Sequence, residues 1–600
     1  MPQISEQDLP TSKWFRVAII CVSVLAAYGN SIRGKFAFDD EVLIEARPAV
    51  HGFDIFGLLD SDRPFLLLTF AINYAFGQLD TTGYHIVNIT IHMAAAITLY
   101  LLIKRVLTHI NFADEKYSNW VSLSIALIWA VHPLQTQSVT YIVQRGESLC
   151  GLFYLLCLLL TFSASTATKH RGWYQSAVVV CCTLGMFTKG VMITAPLTIL
   201  LFDSIVLRSA WRTIFRRRGA MYGGLLGAAL LYVLHMKFNC NSGTALLETI
   251  DAATPLEYLC TQAIVIVQYL KLSIWPQHLC IDYNWPISRD LMSIVGCGLI
   301  VVSLLATAVY AVLKKMPIGF VLGFFFLVLA PTSSFLPILD VAFEHRMYLP
   351  LVSVVTVGVV GLFFVLKTLV TNETWFERAY VSVIAVVSLC LILRTHYRND
   401  DYVHPEQLWE SAIVVAPTNA RAHFNLGFEL QMQNKLDDAR GAYRRACELN
   451  PNDIRAFFHL AAMQHQTGRH DAAILGYQKV IAMSEKHSRA HLNLARLLEE
   501  TSQFDLSEQH YRQAIDLAQN DPGFVEMYGN YFARRGQFEK AISQYRIVMA
   551  RSPTYVTVHL NLALALQKLG RSDEATVHLK RASRQFPHEH RIQNQIAKIR

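Results

Sequence analysis

From residue 17 to residue 393 the sequence is a succession of apolar runs, and beyond Arg394 that pattern stops. A run of about 20 apolar residues in a bilayer can satisfy its backbone only as a helix, because no water is there to bond an open strand. Eleven candidate spans follow: residues 17–29, 84–102, 120–131, 149–161, 177–187, 191–206, 220–235, 291–313, 318–336, 348–366 and 379–393. Several are short. Hydrophobic residues make up 53% of the chain and charged residues only 16%, an average over two unlike parts. Residues 261–275 carry Gln262, Gln268 and Lys271, and end at Trp275-Pro276. We expect an interfacial amphipathic helix there rather than a span. Residues 65–76 are expected to lie along the surface. No small-residue cleavage site follows residues 17–29, so the first run reads as a retained span, not a cleaved signal.

The net charge is +8. Its basic residues cluster beside apolar runs: Lys13/Arg16, Lys104/Arg105, Lys169/Arg171, residues 208–218, Lys314/Lys315 and Lys367/Arg378. With the spans above, all fall on one side, which the positive-inside rule makes cytoplasmic. That account uses the charge without invoking nucleic acid. The loop after residue 29, the turns at 133–148 and 344–346, the loop 239–290 and everything after 393 are then expected outside the cytoplasm. This fits a bacterial inner membrane, or the endoplasmic reticulum in a eukaryote. Most of the eleven cysteines lie in apolar runs. Cys240, Cys260 and Cys280 share one predicted outer loop, which leaves a disulfide open without zinc spacing.

The last third repeats every 34 residues. Leu426, Leu460, Leu494, Tyr528 and Leu562 hold one register, and Tyr443, Tyr477, Tyr511, Tyr545 and Leu579 another. Ala439, Ala473, Ala541 and Ala575 hold a third, with Ser507 in the missing place. Asn434, Gly468, Ser502, Gly536 and Gly570 mark the turns. This is the tetratricopeptide pattern, one helix pair per repeat. The predicted organisation is a membrane domain at 1–394, a connection with half a repeat at 395–416, five repeats at 417–587 and a capping helix at 588–600. The fold class is all-α. Trp409, Ala412 and Pro417 fit the half repeat, so the repeats are expected to follow the membrane domain without a long linker.

Candidate chemistry lies in the expected outer segments. Asp39 and Asp40, in FAFDDEVLI, offer a general base for an acceptor hydroxyl. The plainer reading is a solvated acidic cluster. Arg63, before Pro64, could clamp a phosphate or snorkel at the interface. Arg145 and Glu147 flank Gly146 as an ion pair or a phosphate contact. Lys189 sits between two apolar runs, where a lysine is costly unless it has a role or reaches the interface. Glu344 and Arg346 interrupt apolar sequence again. Four cationic sites on one expected face suit an anionic lipid headgroup. Asn425, Asn493 and Asn561 share a repeat position that can line a peptide groove. His588, Glu589 and His590 read as a solvated end. There is no P-loop, HExxH or dinucleotide-binding glycine fingerprint.

These segments resemble the transmembrane and tetratricopeptide-repeat O-mannosyltransferases, especially their bacterial relatives. The resemblance rests on FAFDDEVLI, SDRPFLLLTFAINYAFG, GYHIVNITIH, HPLQTQSVTYIVQRGE, YLKLSIWPQHLCIDYNWPIS, APTSSFLP and FEHRMYLP, in family order over most of the chain. That family is similar to C-type membrane glycosyltransferases, which use polyprenyl-phosphate sugars and an acidic residue of the first external loop. The resemblance implicates Asp39 and Asp40, and sets Arg63, Arg145, Glu147, Lys189, Glu344 and Arg346 within matching motifs. One departure stands out: the family often has Lys-Glu where this chain has Lys189-Gly190.

The resemblance implies an inverting transferase that moves a sugar, expected to be mannose, from a polyprenyl phosphate to Ser or Thr of a protein held by the repeats. A divalent metal on the carboxylates is compatible with the sequence but not required by it. Two alternatives stay open: a membrane-anchored tetratricopeptide scaffold without enzymatic activity, and a transferase acting on a glycan or lipid.

Overall fold

A computed structural model of the chain describes residues 13–239, 253–338 and 340–599. Every regular element among the described residues is helical. The chain divides into two compact units, Met1–Pro417 and Thr418–Arg600. The half repeat expected at 395–416 thus falls in the first unit.

Among the described residues of the first unit, seven helices are long and apolar enough to cross a membrane: Lys13–Arg33, Thr81–His109, Ile142–Thr166, Trp211–Phe238, Leu291–Leu313, Leu351–Leu369 and Glu373–Tyr402. The other four expected spans are shorter helices: Glu115–Ala130, Arg171–Met186, Gly190–Ile205 and Pro317–Leu329. The eleven expected spans, several of them short, thus correspond to seven long helices and four shorter ones. Local chemistry explains one of the early stops. Glu115–Ala130 ends because Pro133 follows, and His132 before it is extended at φ −72°, ψ 133°.

Burial ranks the long helices. Thr81–His109 packs on Lys13–Tyr28, Glu115–Ala130 and Arg145–Thr166, at the centre of the unit. Leu291–Leu313 buries only Ala308 and Ala311, and its remaining apolar surface suits lipid. Pro255–Ile274 is not among the seven. It buries Tyr258, Thr261, Gln262, Val265, Ile266, Tyr269 and Leu272, one stripe at helical spacing, as an amphipathic helix should. The short Pro64–Gly77 helix likewise buries Leu66, Leu67, Phe70 and Ala71.

The basic helix ends gather at one end of the unit. Lys104 lies 3.9 Å from Glu115, Lys116 pairs with Glu377, and the Lys367 ammonium sits 5.6 Å above the Tyr117 ring. Arg105 donates to Ser163 Oγ at 2.7 Å. At the opposite end the first and last long helices are tied together. Asn30 donates to His396 O (2.8 Å) and Asp400 Oδ1 (2.9 Å), while Asn399 donates to Ala27 O (2.8 Å) and Asn30 Oδ1 (2.9 Å).

In the second unit five helix pairs run from Ala420–Met432 with Leu436–Leu449 to Val556–Lys568 with Ser572–Gln585, and His590–Ile599 follows. All five turn positions have positive φ: Asn434 60°, Gly468 73°, Ser502 63°, Gly536 72° and Gly570 77°. A left-handed residue lets the first helix of each pair stop within one residue, which is why Gly and Asn predominate there. The register tyrosines Tyr443, Tyr477, Tyr511 and Tyr545 are buried, as are the alanines. Ser507 fits its alanine position because its hydroxyl donates to Ala495 O at 2.8 Å.

A candidate active site around a buried polar segment

Residues 131–150 are buried throughout. The segment 133–148, expected on the non-cytoplasmic side, thus lies in the core of the unit. Up to residue 144 it is broken into short turns, Pro133–Gln135, Thr136–Val139 and Ile142–Gln144, so part of its backbone lies outside any helical ladder and needs side-chain partners. Asn88 donates to Val139 O (3.2 Å) and Ile142 O (3.3 Å). Thr395 donates to Val131 O (2.8 Å), and Thr140 to Asn399 Oδ1 (2.8 Å). Gln137 donates to Cys280 O (2.9 Å) and Ile281 O (3.1 Å), holding the return of the 239–290 loop. Cys280 and Cys260 are free thiols, and Cys240 lies outside the described residues.

The acidic loop docks on this segment. Asp40 is fully buried, and both carboxylate oxygens accept backbone amides: Ala37 N on Oδ2 at 3.0 Å and Val143 N on Oδ1 at 2.7 Å. Burial pushes its carboxyl well above the usual carboxylate range, against the pull of those two amides. Asp39 is half-buried, and its amide donates to Tyr141 Oη at 2.9 Å. Phe38 just before it has φ 52°, unusual for a bulky residue, and its ring packs edge-on to Trp409 at 5.5 Å. That packing and the Asp40 bonds hold the turn that presents Asp39.

The cations divide into two kinds. Arg145 is fully buried and saturated: Nε donates to Asn88 Oδ1 (2.6 Å), Nη1 to Thr69 O (3.2 Å) and Nη2 to Tyr84 O (3.1 Å), over the Phe70 ring. Arg346 is 8% exposed and donates to Val341 O (2.9 Å) and to Asp340 O. Neither faces outward as expected: Arg145 is spent on the Asn88 amide and on carbonyls of two neighbouring helices, and Arg346 on carbonyls of the loop just before it. Lys189 and Arg63 are different. Lys189 Nζ reaches Glu147 Oε1 at 2.8 Å and Gln144 Oε1 at 3.1 Å. Burial lowers its pKa, and the Glu147 carboxylate opposes that. Arg63 keeps 36% of its side chain exposed and pairs with Asp62 at 3.0 Å. Phe65 N donates to Phe187 O at 3.1 Å, which seats the Arg63 segment beside the Lys189 segment. Gly190 leaves room for Tyr232, whose hydroxyl would lie 2.8 Å from an added Cβ. The carboxylate beside Lys189 is therefore Glu147, from another helix, rather than its chain neighbour.

Sequence reasoning did not single out His345, Tyr141 or Gln144. Gln137 Nε2 is committed to two carbonyls, so its Oε1 accepts from His345 N (3.1 Å) and from His345 Nδ1 (3.0 Å). Burial holds the His345 imidazole neutral, leaving Nε2 unprotonated, 4.0 Å from Glu147 Oε1. A tyrosine, a histidine and glutamines in a helix-breaking stretch between apolar runs are the signal that was there to be read. Glu344 is fully buried, not outward-facing. Its Oε1 accepts from Cys280 N (2.7 Å) and Tyr283 Oη (2.9 Å), and burial raises its carboxyl to about 7. No group of three or more His, Cys, Asp or Glu among the described residues is placed to hold a metal ion.

The three repeat asparagines are half-buried. Asn561 Nδ2 donates to Glu526 Oε1 (2.9 Å) and Asn530 Oδ1 (3.2 Å), so it is tied within the solenoid. Asn493 lines a cavity of about 300 Å³ with Tyr477, Arg496 and Glu500. Asn425 Nδ2 is a buried donor without a hydrogen-bond partner among the described residues.

A polytopic helical unit built on a buried polar segment, followed by paired-helix repeats, defines a membrane protein with an α-solenoid. Family models described as tetratricopeptide repeat match residues 420–453, 477–522 and 532–599. The chain is 24% identical over 496 residues to the protein O-mannosyl-transferase TMTC4 of Mus musculus, covering 72% of this chain and 66% of that protein. It is 25% identical over 477 residues to a protein O-mannosyl-transferase of Caenorhabditis elegans, covering 74% and 64%. The matches thus take in just under two thirds of these relatives' own length. The similarity to transmembrane and tetratricopeptide-repeat O-mannosyltransferases read from the motifs is borne out across most of the chain. Among solved structures, YrrB, a TPR protein with an unusual peptide-binding site, aligns at TM-score 0.26 and 19% identity over 32% of this chain and 98% of its own.

Proposed function

We propose that this chain is a membrane mannosyltransferase that uses a polyprenyl-phosphate sugar and modifies Ser or Thr of a protein bound by its repeats. The observation that carries the reading is a convergence on three residues of one short segment. Tyr141 accepts from the Asp39 amide, Val143 donates to Asp40, and Gln144 accepts from Lys189. A half-buried carboxylate and a largely buried ammonium are thereby held on one short segment. The names of the relatives support the sugar and the acceptor class.

In this reading Asp39 is the base and Asp40 a positioning residue. Both Asp40 oxygens are occupied, whereas a base must reach its proton. Asp39 takes the hydroxyl proton as the oxygen attacks the anomeric carbon. The bond to the lipid phosphate breaks with inversion, and Lys189 and Arg63 stabilise the phosphate that leaves. Glu147 keeps Lys189 charged in a buried site. The acidic loop and the repeats would lie on the non-cytoplasmic side.

The test is purified full-length protein with mannosyl phosphoryl polyprenol and a Ser/Thr-containing acceptor, following mannose incorporation and release of polyprenyl phosphate together. Transfer by the parent chain that falls ~10²-fold or more in Asp39→Asn is expected. No consumption of donor under any condition would favour the scaffold reading. Consumption that persists at the parental rate in Asp39→Asn would place the base elsewhere.

A further inference from the structure

A second polar cavity lies at the opposite end of the first unit, where the basic helix ends meet. It holds about 220 Å³ and is lined by His109, Arg171, Ser209, Thr213, Arg217 and Arg218, among others. Three guanidiniums face one small volume. Among the described residues only Arg218 of the three has a carboxylate partner: it pairs with buried Asp203, which also accepts from Tyr222 Oη (2.9 Å) and Ser209 Oγ (3.2 Å). Arg171 donates to Ala167 O at 3.1 Å, which leaves its charge uncancelled, and Arg217 is exposed. The cavity is held open by structure. Gln175 Nε2 donates to Arg217 O at 2.8 Å and clamps Arg171–Met186 to Trp211–Asn239, whose N-terminal ends both open towards it. Helix N-termini add positive potential.

The surroundings point to a membrane surface. Trp211 and Phe215 are exposed, one turn apart, with rings 6.3 Å apart, beside exposed Arg212 and Arg216. An apolar stripe next to a basic one lies in the interface, with rings at headgroup depth. Basic pockets between spanning helices at such a depth suit phosphate headgroups.

We propose that this cavity binds the phosphate of an anionic phospholipid, held by Arg171 and Arg217 with Arg218 as its floor. The site is separate from the transferase reading and stands without it.

The test uses the full chain in a neutral detergent, titrated with phosphatidic acid, with phosphatidylcholine or with inorganic phosphate. The readouts are the thermal unfolding midpoint and lipid retained in native mass spectra. Phosphatidic acid is expected to raise the midpoint and to be retained at about one per chain, with phosphatidylcholine inert. Arg171→Gln with Arg217→Gln should weaken the apparent affinity at least tenfold. Both side chains reach solvent and Arg218–Asp203 is left intact, so the variant should fold. Lys314→Gln with Lys315→Gln, at the same end but outside the cavity, should behave as the parent. Equal loss in both variants would reduce the effect to general surface charge and overturn the site. Full response to inorganic phosphate with no preference for lipid would overturn the lipid assignment.

Discussion

Adjacent aspartates in one loop carry different burdens here. Asp40 holds two amides inside the protein, so Asp40→Asn sets an amide N–H against a backbone N–H. Losing one buried acceptor costs about 1–3 kcal/mol, so the unfolding midpoint should fall. Asp39→Asn removes the charge of a half-buried side chain. It should leave the midpoint within error while lowering transfer by ~10²-fold or more, and circular dichroism melts beside the transfer assay separate the two. Glu344 makes a third case. Its carboxyl is raised by burial from 4.5 to about 7, so the folded chain binds that proton more tightly than the unfolded chain. Stability is then greatest at acidic pH and falls as pH rises from about 4.5 to 7, by roughly 3 kcal/mol at the top of the window. Glu344→Gln keeps an acceptor for Cys280 and Tyr283 without the charge. Melts across that range should be flatter for the variant, and a parental slope would assign the dependence to another group.

At the scale of the element, the repeats were legible because each register position has one dominant neighbour. Gly529 lies under Tyr545, where an added Cβ would sit 2.6 Å from the ring, whereas Gly441 looks onto open space. Gly529→Ala should therefore destabilise by about 1–3 kcal/mol, and Gly441→Ala, in mid-helix, should stabilise by about 0.5–1 kcal/mol. Urea titration of the full chain, followed through the solenoid's transition, checks the opposite signs. The segment at 131–150 was not legible. Gln135, Gln137, Thr140 and Gln144 look like an exposed turn to any window that sees only neighbours in sequence. Their burial is decided by partners at 280–281, 344–348 and 395–399. The same reason misplaced Arg145: a charge reads as surface until its acceptors, at Thr69, Tyr84 and Asn88, are known. The Lys189–Glu147 pair was likewise hidden, because sequence led the search to position 190.

For the whole molecule, the separation of basic helix ends from the acidic loop makes a directional claim. Lys35 is exposed beside the Asp39 loop, and Lys315 is exposed at the basic end. In intact cells, Lys35→Cys should react with an impermeant maleimide and Lys315→Cys only after lysis, with the unaltered chain as blank. Labelling of both from one side would break the assignment of the basic end to the cytoplasm. The architecture also has a temporal side. The buried segment is complete only when Thr395 and Asn399, on the last long helix of the first unit, bond Val131 and Thr140. A ribosome makes those residues about 260 positions after the groups they satisfy, at about 5–20 residues per second. For ten seconds or more, the nascent unit therefore sits in the membrane with its centre unfinished. A chain cut short before residue 395 would never leave that state, and the cell's membrane proteases would read it as unfinished.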